Sequence, residues 1–208
     1  QAGKQARGGT LYVTLEPCCH LTKRTPPCVP DILRSGVRRV VMAMQDPNPS
    51  VKGKGAAAFR RAGLSVMVGV AQREAEELNK AYCHWMKTGR PYVTLKAGMT
   101  LDGQLATASG ESQWITGESS RREVHQLRGS VDAVLIGIGT VLADNPLLTA
   151  RTGPRFEQFT PRQPLRIIVD SRLRTPLKAQ VLAQQDKAKT IIVTTAAAPA
   201  ARRSALQK

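Results

Sequence analysis

Residues 10–44 read TLYVTLEPCCHLTKRTPPCVPDILRSGVRRVVMAM. Thr10 to Leu15 is a short β-branched and apolar run behind Gly8 and Gly9, the pattern of a buried strand, and its end delivers Glu16-Pro17-Cys18. A helix over Cys28 to Ser35 begins just after Pro26-Pro27 and closes at Gly36. Val37 to Met44 is a second apolar strand, ended by Asp46-Pro47-Asn48-Pro49. A helix over Gly55 to Ala62, closed by Gly63, leads into a third strand, Leu64 to Val70. Strand, helix, strand, helix, strand predicts a parallel α/β sheet. Ala71 to Met86 reads as one amphipathic helix, with Glu74, Glu76 and Glu77 near its start.

The polar stretch Lys87-Thr88-Gly89-Arg90-Pro91 breaks this pattern, and a new set of strands follows. The domain boundary is therefore expected near residue 89, giving domains 1–88 and 89–208. In the second, Tyr92 to Ala97 is strand-like, Ser119 to Arg128 is a helix opened by Thr116, and Ala133 to Ile138 is a strand closed by Gly139-Thr140. An irregular stretch, Asp144 to Pro164, precedes two more buried strands, Leu165 to Val169 and Thr190 to Thr194. The chain opens at Gln1 without a methionine and stops at Lys208 inside a helical pattern, so both ends are expected to be cut.

With 41% apolar residues in 208, the chain can bury a core. Its 31 Lys and Arg against 15 Asp and Glu leave a formal charge of +16, which favours anionic partners: nucleic acid, acidic membrane or phosphorylated small molecules. The cations are scattered, as in Lys52 and Lys54 or Arg121 and Arg122, and form no block, so many belong to ordinary solvated surface. Adjacent Cys18 and Cys19 argue against a secreted disulfide framework. No apolar run reaches membrane-span length, and the N-terminus carries no signal-type core. A soluble cytoplasmic protein is expected.

Cys18 ends a strand and Cys28 opens a helix, whose positive dipole end favours a thiolate. Such a pair suits zinc, or it is two reduced, packed cysteines. Likewise Asp46-Pro47-Asn48-Pro49 lies where open α/β sheets place ligands, or is a plain turn.

Thr14-Leu15-Glu16-Pro17-Cys18-Cys19-His20, followed by Arg24-Thr25-Pro26-Pro27-Cys28, resembles the second zinc motif of the riboflavin-pathway deaminases. Zinc nucleobase deaminases carry H-x-E and then P-C-x-x-C, with His and both Cys on zinc and the Glu moving protons. The riboflavin branch has a longer loop ending in Thr-Pro-Pro-Cys, and here that loop is one residue longer again, through Leu21-Thr22-Lys23. The resemblance implies Cys18 and Cys28 as zinc ligands, with His20, Arg24, Asp46 and Asn48 on the substrate side, and Cys19 and Cys83 unliganded. No His-Ala-Glu precedes Glu16, so this polypeptide alone is expected to be inactive as a deaminase.

Lys96 to Gly103, Ser109 to Thr116 and Gly137 to Thr149 resemble successive blocks of the riboflavin-pathway reductase, which is similar in fold to dihydrofolate reductase. The whole chain thus resembles the bifunctional deaminase/reductase family. The implied fold is a cytidine-deaminase-like α/β domain, N-terminally truncated, followed by a dihydrofolate-reductase-like α/β domain, C-terminally truncated. The implied cofactors are Zn2+ and NADPH. The implied reactions are hydrolytic deamination of 2,5-diamino-6-ribosylamino-pyrimidinone 5′-phosphate, then reduction of its ribosyl group to ribityl. Carried over by position, Gly98, Trp114, Thr140, Asp144 and Ser171 touch NADPH, while Ser112, Arg128, Leu148 and Arg151 hold the phosphosugar. Lys96 and Asp144 stand near the reacting centre. Apart from the resemblance, Lys96 reads as a strand-end lysine in solvent, Trp114 as core, Arg128 as a helix-end surface charge and Asp144 as a turn residue. The Glu-Gly-Gly-type turn that completes the family's cofactor cradle does not occur before Lys208, so poor cofactor affinity is expected.

The charge also raises a nucleic-acid-directed zinc deaminase as an alternative. Its 4% aromatic content supplies few stacking platforms, and a reductase block has no role there. A closed structural zinc site is disfavoured too, because His20, His84 and His125 show no finger-like spacing. The expected partners are a phosphorylated pyrimidine, NADPH and further copies of the same chain, with neither nucleic acid nor membrane among them.

Overall fold

The computed structural model describes residues 2–22, 24–151 and 162–207. It divides into two compact units, Gln1–Leu95 and Lys96–Lys208. Each is an α/β unit built on a parallel sheet, and among the described residues no helix is long and apolar enough to cross a membrane.

In the first unit, β1 (Thr10–Leu15), β2 (Arg39–Met44) and β3 (Ser65–Val68) pair in parallel in that order. β2 is central and buried on both faces, which explains why its sequence is a continuous apolar run while the edge strands alternate. Val40 and Met42 pack with Val29 of α1 (Cys28–Arg34) and with Ala56 and Phe59 of α2 (Lys54–Arg61). Ala43 and Met44 pack with Ala75 of α3 (Gln72–Leu78) and Cys83 of α4 (Lys80–Thr88). Burial pushes the Cys83 thiol up, so it is a packed core sulfur.

The single helix expected over Ala71 to Met86 is two, divided at Asn79. The Asn79 side chain donates to the Ala75 carbonyl at 2.8 Å, a local bond that competes with helix continuation. Tyr92 to Ala97, expected as a strand, is irregular, and no strand pairs with it among the described residues.

In the second unit, β4 (Ala133–Gly137), β5 (Leu165–Val169) and β6 (Thr190–Val193) again run parallel in sequence order. α5 (Glu118–Ser130) precedes β4, and α7 (Ala200–Leu206) follows β6. Gly139-Thr140 does not close β4 into a loop. The strand ends at Gly137, whose extended backbone opens α6 (Ile138–Asp144), and Asn145 in the left-handed conformation ends that helix. Val141 of α6, Leu148, Ile168, Ala179 and Val181 form a core cluster of this unit. Of the expected irregular stretch from Asp144 to Pro164, residues 152–161 lie outside the described residues.

Candidate functional site

β1 carries the chain to Glu16, which is buried although it is an acid. Its Oε2 accepts the amide N–H groups of Gly53 at 2.9 Å and Asp46 at 3.3 Å, and its Oε1 that of Ala56 at 2.9 Å. One carboxylate thus ties the end of β1 to the turn after β2 and to the first turn of α2. Gly55 permits this approach: a Cβ there would collide with the Pro17 carbonyl oxygen. Sequence reasoning missed the role of Glu16. Its signal was an acid between an apolar strand and a proline, where solvent has no access.

Two residues later, the Cys18 and Cys28 sulfurs stand 3.4 Å apart. The Cys18 carbonyl accepts the N–H groups of Cys28 and Val29 at 3.1 and 3.2 Å, which clamps the start of α1 against the end of β1. The nine-residue loop between the two cysteines therefore returns to its origin. Among the described residues no group of three or more His, Cys, Asp and Glu side chains gathers as a metal cluster, and Lys23, in the lengthened loop, lies outside them. Nδ1 of His20 is buried without a hydrogen-bond partner among the described residues, whereas Arg24 is exposed.

Asp46 and Asn48 are engaged within their own turn. Asp46 is buried, and its Oδ1 accepts the Asn48 amide N–H at 2.8 Å and the Tyr82 hydroxyl at 2.8 Å. Burial and that hydrogen bond push the Tyr82 phenol well above its ordinary value. The Asn48 Oδ1 accepts the Ser50 N–H at 2.9 Å.

The second unit holds a cleft of about 720 Å³, the size of a small-molecule site. Ser112, Trp114 and Arg128 line it from α5 and the chain before it, and Asp144, Leu148 and Arg151 from the segment that ends α6. Lys96 and Gly98 complete this set. The Lys96 Nζ lies 3.7 Å from where a side chain on Gly98 would begin, so the lysine folds back over the glycine at the cleft. Thr140 and Ser171 are not among the lining residues: Thr140 is exposed on α6, and the Ser171 carbonyl accepts the hydroxyls of Thr194 and Thr195 at 3.1 and 2.9 Å.

Trp114 is not core. It is 71% exposed, with the Arg121 guanidinium 4.4 Å from its ring centroid, and Arg121 is itself anchored on the Thr116 carbonyl at 2.7 Å. A flat, open ring beside a cation is a platform for another flat ring. Nor is Arg128 a surface charge. It is half-buried, and burial together with the neighbouring Arg151 lowers its pKa from the ordinary arginine value. Among the described residues neither arginine forms an ion pair with a carboxylate. Two cations held together without a counter-charge are electrostatically suited to an anion.

Sequence reasoning also missed His125 and Arg166. His125 lines the cleft three residues before Arg128, a spacing that puts both on one helix face. Arg166 has no exposed surface and donates to the carbonyls of Leu147 at 3.2 Å, Ala183 at 2.9 Å and Ala188. It thereby supports the segment in which Leu148 sits with φ +58° at the cleft wall. An arginine inside the apolar run Leu165 to Val169, in phase with Ile168, was the available signal.

The family profile described as RibD C-terminal domain matches residues 91–207. The riboflavin biosynthesis protein RibD of Aquifex aeolicus is 51% identical over 194 residues, covering 93% of this chain and 52% of that protein. A solved structure of Acinetobacter baumannii RibD superposes with a TM-score of 0.86 at 41% identity, over 99% of this chain and 56% of that one. A second, from Thermotoga maritima, is described as a diaminohydroxyphosphoribosylaminopyrimidine deaminase/5-amino-6-(5-phosphoribosylamino)uracil reductase. It gives a TM-score of 0.80 at 37% identity, over 97% of this chain and 58% of that one. The chain spans about half the length of the curated relatives it matches. With the profile covering more than half of its residues, including the cleft that joins Trp114, Arg128 and Arg151, the chain belongs to the RibD C-terminal domain family.

Proposed function

We propose that the second unit is the reductase part of a riboflavin-biosynthesis enzyme of the cytoplasm, dihydrofolate-reductase-like in fold, and that its cleft takes NADPH and a phosphorylated ribosylaminopyrimidine. The observation that carries this reading is the half-buried Arg128 beside Arg151, with no carboxylate paired to either among the described residues. A phosphate monoester supplies the two negative charges and the acceptor oxygens that such a pair lacks.

The donor set fits the cofactor as well. Trp114 offers an open ring for stacking, Gly98 lets a ligand approach the backbone, and Asp144 and Ser112 offer polar atoms at the same cleft. Bound NADPH would supply a hydride. The chain's own residues would do the rest: Arg128 and Arg151 fix the phosphate end of the sugar, while Lys96 holds positive charge near the sugar carbon that is reduced.

In the first unit we propose part of a zinc deaminase with a cytidine-deaminase-like fold, in which Cys18 and Cys28 hold the metal and His20 faces the substrate. Two sulfurs about 2.3 Å from one tetrahedral zinc stand about 3.8 Å apart. The 3.4 Å found here needs only a small opening, so the pair fits two of the ligands. Zinc would supply an activated water.

Equilibrium binding of 5-amino-6-(5-phosphoribosylamino)uracil to the 208-residue chain tests the reductase reading. Arg128→Met should weaken binding about 10- to 100-fold, the worth of a charge-assisted hydrogen bond. The same substitution should leave binding of the dephosphorylated nucleoside unchanged. Equal losses for both ligands, or none for either, would contradict the assignment.

A further inference from the structure

His125 stands in α5 with its ring at the cleft, one helical turn from Arg128. Two observations separate it from a histidine that merely fills space. Its Nδ1 is buried and has no hydrogen-bond partner among the described residues, which is uncommon for a polar atom in a folded protein. Its neighbours are cations from two elements, Arg128 on its own helix and Arg151 on the segment after α6, while the nearby Thr149 backbone acts on the ring in the opposite sense. Of the carboxylates at the cleft, Glu118 pairs with Arg122 at 2.7 Å, and Asp144 stands at the end of α6.

We propose that His125 is a third anion-positioning group of this cleft, one that takes up a proton from solvent when a phosphate or similar dianion settles beside Arg128 and Arg151. The proposal rests on the reading of Arg128 and Arg151 as an anion site. With the site empty, burial and then the two guanidinium groups hold the His125 pKa below its ordinary value, so near neutral pH the ring is uncharged. A dianion reverses the balance. It neutralises the field of the arginines and adds an attraction of its own, so the imidazolium becomes the favoured form. The proton comes from bulk buffer and forms an N–H on the ring nitrogen that lacks a partner; no other bond is made or broken. Binding and protonation are thereby linked. Affinity must fall as pH rises through the range in which the bound form is protonated and the free form is not. Lys96 and Arg121 are further cations at the cleft.

Sulfate is the probe of choice, because its double charge is constant across the range in which histidine titrates, whereas a phosphate ester changes its own charge there. The full 208-residue chain is titrated with sulfate between about pH 5 and 8. Its three histidines, His20, His84 and His125, are followed by ring-nitrogen NMR and assigned by through-bond correlation to the backbone of the parent chain. The expected result is a His125 titration that moves to higher pH at saturating sulfate. Sulfate affinity should fall by up to about tenfold for each pH unit gained, the limit for one linked proton. His125→Gln should still bind sulfate but lose that slope. A His125 titration indifferent to saturating sulfate, or a slope unchanged in His125→Gln, overturns the proposal while leaving the anion site intact. Sulfate binding that is absent, or equal in the parent chain and Arg128→Met, removes the anion site itself and this proposal with it. The parent chain's NMR titration decides the question even if a substituted chain fails to fold.

Discussion

Replacing Glu16 by alanine is expected to destabilise the first unit more than the removal of an ordinary surface acid. The carboxylate is 2% exposed and is the acceptor for three backbone N–H groups, those of Asp46, Gly53 and Ala56. Alanine leaves the buried amides of Asp46 and Ala56 without an acceptor and Gly53 with partial access to water. At roughly 1–3 kcal/mol for each unsatisfied buried group, the loss is about 3–5 kcal/mol. That is a large part of the roughly 5–15 kcal/mol by which a domain is stable. Glu16→Gln separates the contributions. The amide oxygen can keep the two N–H groups now shared by Oε2, but the amide NH2 then faces the Ala56 N–H, donor against donor. A cost of about 1–3 kcal/mol follows. The measurement is urea unfolding, with Trp85 as reporter in a Trp114→Phe background so that the first unit is followed alone. At about 1–3 kcal/mol per molar urea, the alanine variant should unfold at a midpoint lower by about 2 M, with glutamine between it and the parent. An alanine variant within 0.5 kcal/mol of the parent, or glutamine no better than alanine, would refute the claim that this carboxylate joins β1, the β2 turn and α2.

Two further outcomes follow from single residues. Arg166→Met removes a buried cation, a gain, but strips the donors from three carbonyls; the net should be a loss of about 2–4 kcal/mol in the second unit, read by thermal unfolding with Trp114 as reporter in a Trp85→Phe background. An unchanged midpoint would show that the carbonyls of Leu147, Ala183 and Ala188 find other donors. Ala71→Gly should instead stabilise the first unit by about 0.5–1 kcal/mol, because Ala71 opens α3 at φ +56°, where a Cβ is strained and glycine is not. Destabilisation there, in the same urea assay, would count against the left-handed assignment.

The parallel sheets were legible because β2 reads as an unbroken apolar run and its flanking helices end at Gly36 and Gly63, both with positive φ. The division of the Ala71 to Met86 helix was not legible, since it depends on one side-chain bond from Asn79 that hydrophobic periodicity does not register. The same distinction governs the candidate site. Motif blocks led to Trp114, Arg128, Asp144, Leu148 and Arg151, and one cleft gathers them. They did not lead to His125, Glu16 or Arg166, because what distinguishes these three is burial and partnership. Of 31 basic residues, the informative ones are those that folding brings in from solvent. Arg166 is buried and finds three carbonyls, so it is structural. Arg128 is half-buried, has a second cation beside it and, among the described residues, pairs with no carboxylate, so an anion entering the cleft would meet its deficit. A net charge of +16 could not distinguish these two arginines, and it is the second kind that argues for a ligand.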